Sequence, residues 1–359
     1  MIDTFWLGVL LCFSLIPLPL SMAPWYIARN HLKRSEPGKA LKIYRRLYAV
    51  YRYLGKDYQA CLNYCIGVCL ALLGERREAQ EHLQLARARW DTSVPRAWRN
   101  DANLANAISA YLYALEGDME AGERLAEIAV SQLSPKSHHA PTVNLYAGAA
   151  FLYAERFQEA EAQLNQALEH SKTDKGTKAN VYGWLGASAF YQRRFADAFA
   201  HTLLAEKCDD ASHAILTSIL PGRIVAAVEL GNLTLAQQAA AKLLPLMHQL
   251  EESQRNPSYR ALSTLALAQG DLDRALDYAE RAYNGHASTR EQANSLFLQA
   301  SVYMQRKNYV RALQMIQEAE TYPNFTLYRE RLVNLRHVIE AVGTVKVNAD
   351  LGQTLNQLT

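Results

Sequence analysis

With 359 residues, half of them hydrophobic and a fifth charged, the chain has ample material for a buried core, and its composition excludes general disorder. The formal net charge of +3 is unevenly placed: residues 29–58 hold nine Lys/Arg against Glu36 and Asp57, so the rest of the chain is slightly acidic. That distribution excludes the broad basic surface a nucleic-acid partner requires.

The first predicted element is an apolar run. No charged side chain stands between Thr4 and Ala28, and residues 5–27 as a helix would rise about 34 Å, enough to cross a hydrocarbon core of about 30 Å. Trp6 stands at one end and Trp25 with Tyr26 at the other, where rings favour the headgroup region. Pro17, Pro19 and Pro24 interrupt the second half. The reading is a single-pass anchor over residues 1–28, followed by a basic juxtamembrane segment and capping helix over 29–57. The basic flank Arg29, Lys33 and Arg34 belongs on the cytoplasmic side, which places a short N-terminus outside and the body in the cytoplasm.

A cleaved signal is the alternative, with "SMA" before Pro24 as the cut. Against it, the leading Met-Ile-Asp has no Lys or Arg, and proline directly after the cut is poor geometry. A cut chain would be periplasmic or secreted, and the sequons at Asn232 and Asn324 would then be open to glycosylation. A hydrophobic core helix is the third reading. Five cysteines, with Cys61, Cys65 and Cys69 in one helical pattern, indicate free buried thiols in a reducing compartment.

Residues 35–54 place Leu41, Tyr44, Tyr48, Tyr51 and Leu54 along one helical side. This helix either caps the first repeat or rests on the bilayer with Arg45, Arg46 and Arg52 toward anionic lipid, and the packing role is preferred. From there one phrase recurs: "LLGERREA", "LEGDMEAG", "YAERFQEA", "YQRRFADA", "ELGNLTLA", "AQGDLDRA", "QRKNYVRA". Each closes on a small residue, Ala79, Gly122, Ala160, Ala198, Ala236, Ala275 and Ala312, at separations of 43, 38, 38, 38, 39 and 37. Helical patterning on both sides of each turn indicates stacked helix pairs. A second small residue follows seven later (Ala86, Ala129, Ala167, Ala205, Ala282, Ala319), with Leu243 at that place in the fifth unit. Gly67, Gly148 and Gly186 lie twelve residues before their small partners and mark close approach by the first helix.

These small residues, together with Met119, Phe157, Phe195, Leu233, Leu272 and Tyr309 just after the turns, resemble the tetratricopeptide repeat (TPR) family. The resemblance covers residues 58–322. It departs from the family in its period, nearer 38 than 34, and in lacking the tryptophan of the first helix. It implies an all-α fold, a right-handed superhelical α-solenoid of about seven TPR-like helix pairs. Residues 323–343 read as a C-terminal capping helix and 344–359 as a flexible tail.

Catalytic spacing is absent: there is no HExxH, CxxC, phosphate-cradling glycine loop or nucleophile elbow. The Cys61/Cys65/Cys69 stripe, "CDDASH" and His138–His139 read as core or solvated loop, so no metal, cofactor or enzymatic activity is expected. The solenoid resemblance implies a concave face lined by the first helix of each pair. Mapped onto those helices, Tyr64, Tyr111, Tyr153, Phe190, Tyr191, Phe297 and Met304 form the candidate partner-binding set, suited to an extended peptide or an amphipathic helix. Positions where TPR clamps carry Lys and Asn for chaperone C-terminal tails are here mostly Ala, Tyr, Val, Leu and Gly, which argues against that partner. The expected function is a membrane-tethered protein-binding adaptor. The alternative is an accessory or ligand-sensing subunit of a membrane enzyme or signalling complex.

Overall fold

The structure, a computed structural model, describes residues 24–25, 27–28, 30–31, 36–51, 56–90, 99–171, 175–208, 213–250, 255–285, 289–322 and 325–358. The expected span over 5–27 falls outside the described residues apart from Pro24, Trp25 and Ile27, and Arg29, Lys33 and Arg34 fall outside them too. Among the described residues no helix is long and apolar enough to cross a membrane.

Among the described residues all of the elements are helices. Helix α1 (Pro37–Tyr51) precedes seven pairs: α2 (Lys56–Leu73) with α3 (Arg76–Trp90), α4 (Arg99–Glu116) with α5 (Met119–Ser131), α6 (Ala140–Tyr153) with α7 (Phe157–His170), and α8 (Lys175–Tyr191) with α9 (Phe195–Glu206). The series continues with α10 (His213–Glu229) and α11 (Leu233–Met247), α12 (Asn256–Ala268) and α13 (Leu272–Asn284), α14 (Thr289–Gln305) and α15 (Tyr309–Glu320). Helix α16 (Thr326–Leu358) closes the array, continuing well past residue 343, where the sequence suggests a tail. Of the two placements open to α1, packing is observed, with Leu41, Tyr44 and Leu47 buried in one cluster with Leu62, Cys65 and Cys69 of α2.

The glycine spacing works as a docking point. A β-carbon at Gly67 would stand 2.7 Å from Leu83 Cγ and 3.1 Å from the Ala79 carbonyl oxygen; at Gly148 the distances to Leu164 Cγ and the Ala160 oxygen would be 2.9 and 3.1 Å. Only a bare α-carbon lets the two helices approach so closely. In the second pair the roles exchange, and Gly122 lies against the Ala110 carbonyl. In the sixth pair Ser263 holds the position and donates its hydroxyl to the Ala275 carbonyl at 2.7 Å. The second-row alanines are fully buried, and so is Leu243 in the fifth unit.

Each turn between paired helices contains one residue in the left-handed region, five before the small residue: Gly74, Gly117, Glu155, Arg193, Gly231, Gly270 and Lys307. In four units the next residue caps the following helix, with Asp118, Asn232, Asp271 and Asn308 accepting from the backbone N–H three residues on. Arg156 and Arg194 stand at that position without a side-chain cap.

First helices pack on first helices along the series α2, α4, α6, α8, α10, α12 and α14, and line the inner side of the stack. The curl is tight enough that α4 and α14 meet across the channel. Cys61, Cys65 and Cys69 are buried free thiols on α2, and burial pushes the Cys69 thiol up to about 12.

Candidate functional site

Aromatic side chains from successive first helices meet in one continuous lane. Tyr111 of α4 has its ring 5.7 Å from Tyr146, 6.1 Å from Tyr153 and 5.6 Å from Trp184, and Tyr153 in turn stands 6.1 Å from Trp184. Most of these contacts are edge-on, which the ring quadrupoles favour. Burial raises the hydroxyls of Tyr111, Tyr146 and Tyr153 above the ordinary phenol range, so the lane stays neutral.

The lane is occupied by the chain itself. Phe325, just ahead of α16 and 2% exposed, stacks on Tyr191 at 3.7 Å and lies 5.7 Å from Tyr153. Tyr328, one helical turn later, sits 6.4 Å from Tyr191 and 5.9 Å from Phe297. The Glu155 carboxylate accepts from the Thr326 N–H at 3.1 Å, a cap for α16 supplied from 171 positions away. Arg329 also reaches Glu155 at 3.5 Å, Arg193 pairs with Glu330, and Arg331 pairs with Glu229 at 2.9 Å. Farther along the same face, α16 buries Leu332 and Ile339 in one cluster with residues of α14 and α15.

Of the residues singled out from sequence, Tyr111, Tyr153 and Tyr191 come together in the lane, and Phe297 joins them through Tyr328. Phe190 packs on Tyr191 and Phe195 beside it. Tyr64 does not reach the lane: it is buried with its ring 5.6 Å from Trp90. It precedes Gly67 by three residues, the register of buried Leu145 before Gly148, whereas lane residues Tyr146 and Trp184 precede their glycines by two. One residue is about 100° of helix, enough to turn a side chain from channel to core. Met304 packs in the terminal cluster of α14, α15 and α16. Tyr146 and Trp184 share a register that the sequence reading missed.

Next to the lane, α8, α10, α12 and α14 border a half-open pocket of about 500 Å³, bounded also by Tyr328 and Arg331 of α16. Its charged lining is Glu229, Arg260 and Arg331, with Arg260 Nη2 held at 3.1 Å by Glu291 Oε1. Among the described residues no group of three or more His, Cys, Asp and Glu converges as a metal site; His139 instead contacts Asp101 at 3.2 Å.

No protein-family model matches the sequence, and no curated protein matches it. Solved structures do match. Cut9, in the crystal structure of the APC/C hetero-tetramer Cut9-Hcn1, superposes with a TM-score of 0.62 at 15% identity over 90% of this chain. Apo RapI gives 0.49 at 11% identity, covering 83% of this chain and 86% of its own, and yeast Tom70 gives 0.45 at 12%, covering 89% and 62%. The chain spans 57% of the length of Cut9. At these identities the likeness is one of fold. The chain has a TPR-like helical-repeat fold.

Proposed function

We propose that this chain is a membrane-tethered adaptor whose channel grips a partner protein through a helical segment carrying aromatic residues one turn apart. The observation that carries this reading is the seating of Phe325 and Tyr328 on Tyr153, Tyr191 and Phe297. A helix start of that chemistry already fills the lane, capped by Glu155 and flanked by alternating ion pairs, so a partner of the same kind would compete for it. The likeness to Cut9, a protein crystallised in a hetero-tetramer, supports a scaffold role. Residues 5–27 supply the tether and the Arg29, Lys33, Arg34 flank keeps the body on the cytoplasmic side. Tethering raises the local concentration of whatever binds, so modest affinity suffices. The solenoid holds its partner and catalyses nothing.

The test uses full-length protein in detergent and a labelled peptide of residues 325–338, read by fluorescence anisotropy. The Phe325→Ala/Tyr328→Ala variant, with its lane vacated, is expected to bind the peptide at least ~10-fold more tightly than wild type, a difference of about 1.4 kcal/mol. Adding Tyr153→Ala and Tyr191→Ala should abolish that gain. Equal binding by all three proteins would exclude the lane as a helix-receiving site. The tether is tested separately: resistance to alkaline extraction from membranes should be lost when residues 5–27 are deleted.

A further inference from the structure

Helix α1 packs its inner side on α2, and its outer side is left to solvent. The helix carries Lys39, Lys42, Arg45 and Arg46 and no Asp or Glu. At about 100° per residue, Lys39, Lys42, Arg46 and Val50 fall on the side opposite Tyr44, which is buried in the cluster shared with α2. Two of the four cations are already balanced, Lys39 by Glu36 and Arg45 by Glu78 of α3. Lys42 and Arg46 are exposed, one turn apart, and form no ion pair among the described residues. Val50, one turn further along the same side, is 55% exposed. A basic stripe with an apolar residue at its edge has the chemistry of a helix that lies on a bilayer, with cations at the headgroups and the apolar side chain below them.

Position selects the counterpart. Trp25, near the end of the apolar run, has its ring 5.7 Å from Tyr44, and Ala28 is fully buried in the cluster that α1 shares with α2. Those contacts hold the end of the run beside α1. An acidic protein would satisfy the same charge, but only a lipid surface is brought to this end of the molecule by the chain itself. We propose that α1 docks its Lys42 and Arg46 face on an anionic bilayer surface, with Val50 entering the boundary between headgroups and acyl chains. Arg45 is taken by Glu78, so Lys42 rather than Arg45 partners Arg46 in this contact. Docking fixes the orientation of the solenoid, which a flexible tether alone leaves free. The assignment rests on residues 5–27 being the tether.

The test places the photocrosslinker p-benzoylphenylalanine at Val50 of the full-length protein, mixed with nanodiscs of phosphatidylcholine or of equimolar phosphatidylcholine and phosphatidylglycerol. Lipid adducts are located by mass spectrometry. The expected result is a lipid adduct at position 50 at least ~10-fold more abundant in the anionic discs, as for two cations at a charged surface. Lys42→Glu/Arg46→Glu should remove that excess, as should high salt. Both side chains are exposed and unpaired, so circular dichroism melts of this variant are expected to match wild type. The same crosslinker at Val310, which is 70% exposed on α15, is the control and should gain no lipid. Co-elution with the neutral discs reports the tether separately. Protein that co-elutes with both discs but gives no adduct at position 50, or one indifferent to lipid charge or to the double variant, overturns the docking and leaves the tether standing. Co-elution with the anionic discs alone, lost in the double variant, supports the docking and overturns the tether. Co-elution with neither overturns both.

Discussion

The turns of the third and fourth units differ from those of the second, fifth and sixth although all make the same bend. The latter use Gly117, Gly231 and Gly270 in the left-handed region, each followed by a capping Asp or Asn. The third and fourth place Glu155 and Arg193 there and follow them with Arg156 and Arg194. A non-glycine residue in that conformation costs about 1–2 kcal/mol, and a missing cap about 1 kcal/mol. Glu155 and Arg193 are the turn residues that hold α16, while Arg156 and Arg194 bridge to Glu127 and Glu161 of the preceding units. In these two units local stability has been given up where a side chain has a distant partner; Lys307 of the seventh unit takes the same backbone conformation, but there Asn308 supplies the cap.

The largest effect is expected where α16 enters the lane. Phe325→Ala removes a fully buried ring and should lower unfolding stability by about 3 kcal/mol, with faster amide exchange through the first turns of α16. An unchanged melt would mean the lane is not filled by this ring. Gly231→Ala puts a β-carbon into a left-handed turn that holds no distant partner, and should cost about 1–2 kcal/mol in a denaturant titration.

Glu155→Gly sharpens the contrast. It relieves a similar strain but removes the cap of α16, so the melt should move by less than about 1 kcal/mol while the Thr326 amide exchanges much faster. If Glu155→Gly behaved like a plain stabilising substitution, the turn would have no role in holding α16. The smallest effect is ionic. Raising salt screens the pairs made by Arg193, Arg329 and Arg331, each worth about 0–1 kcal/mol, and should speed exchange at residues 326–331 without shifting the global melt.

The repeat itself was legible because its rules are local. A small residue at fixed distance from a turn, and a glycine twelve positions earlier, describe one helix pair packing on itself, and Gly67 with Ala79 or Gly148 with Ala160 meet as that spacing requires. The lane was only half legible. Tyr111, Tyr153 and Tyr191 share the concave side with Trp184, but Tyr64 shows how a one-residue error of register moves a ring from channel to core. The occupant was hidden for a different reason. Phe325 meets Tyr191 only because the stack curls until distant units face one another, and no periodic pattern encodes a contact over 134 positions. One partial signal was available: charged residues at the turn position that four units give to glycine, a signal Lys307 shares although it is Glu155 and Arg193 that hold α16.

The most direct test of the account replaces Tyr191 with the photocrosslinker p-benzoylphenylalanine in the full-length protein and maps the crosslink by mass spectrometry. If the chain fills its own channel, the product is intramolecular and joins position 191 to the peptide containing Phe325 and Tyr328. Crosslinks that fall elsewhere in the chain, with residues 325–331 unmodified, would contradict the account.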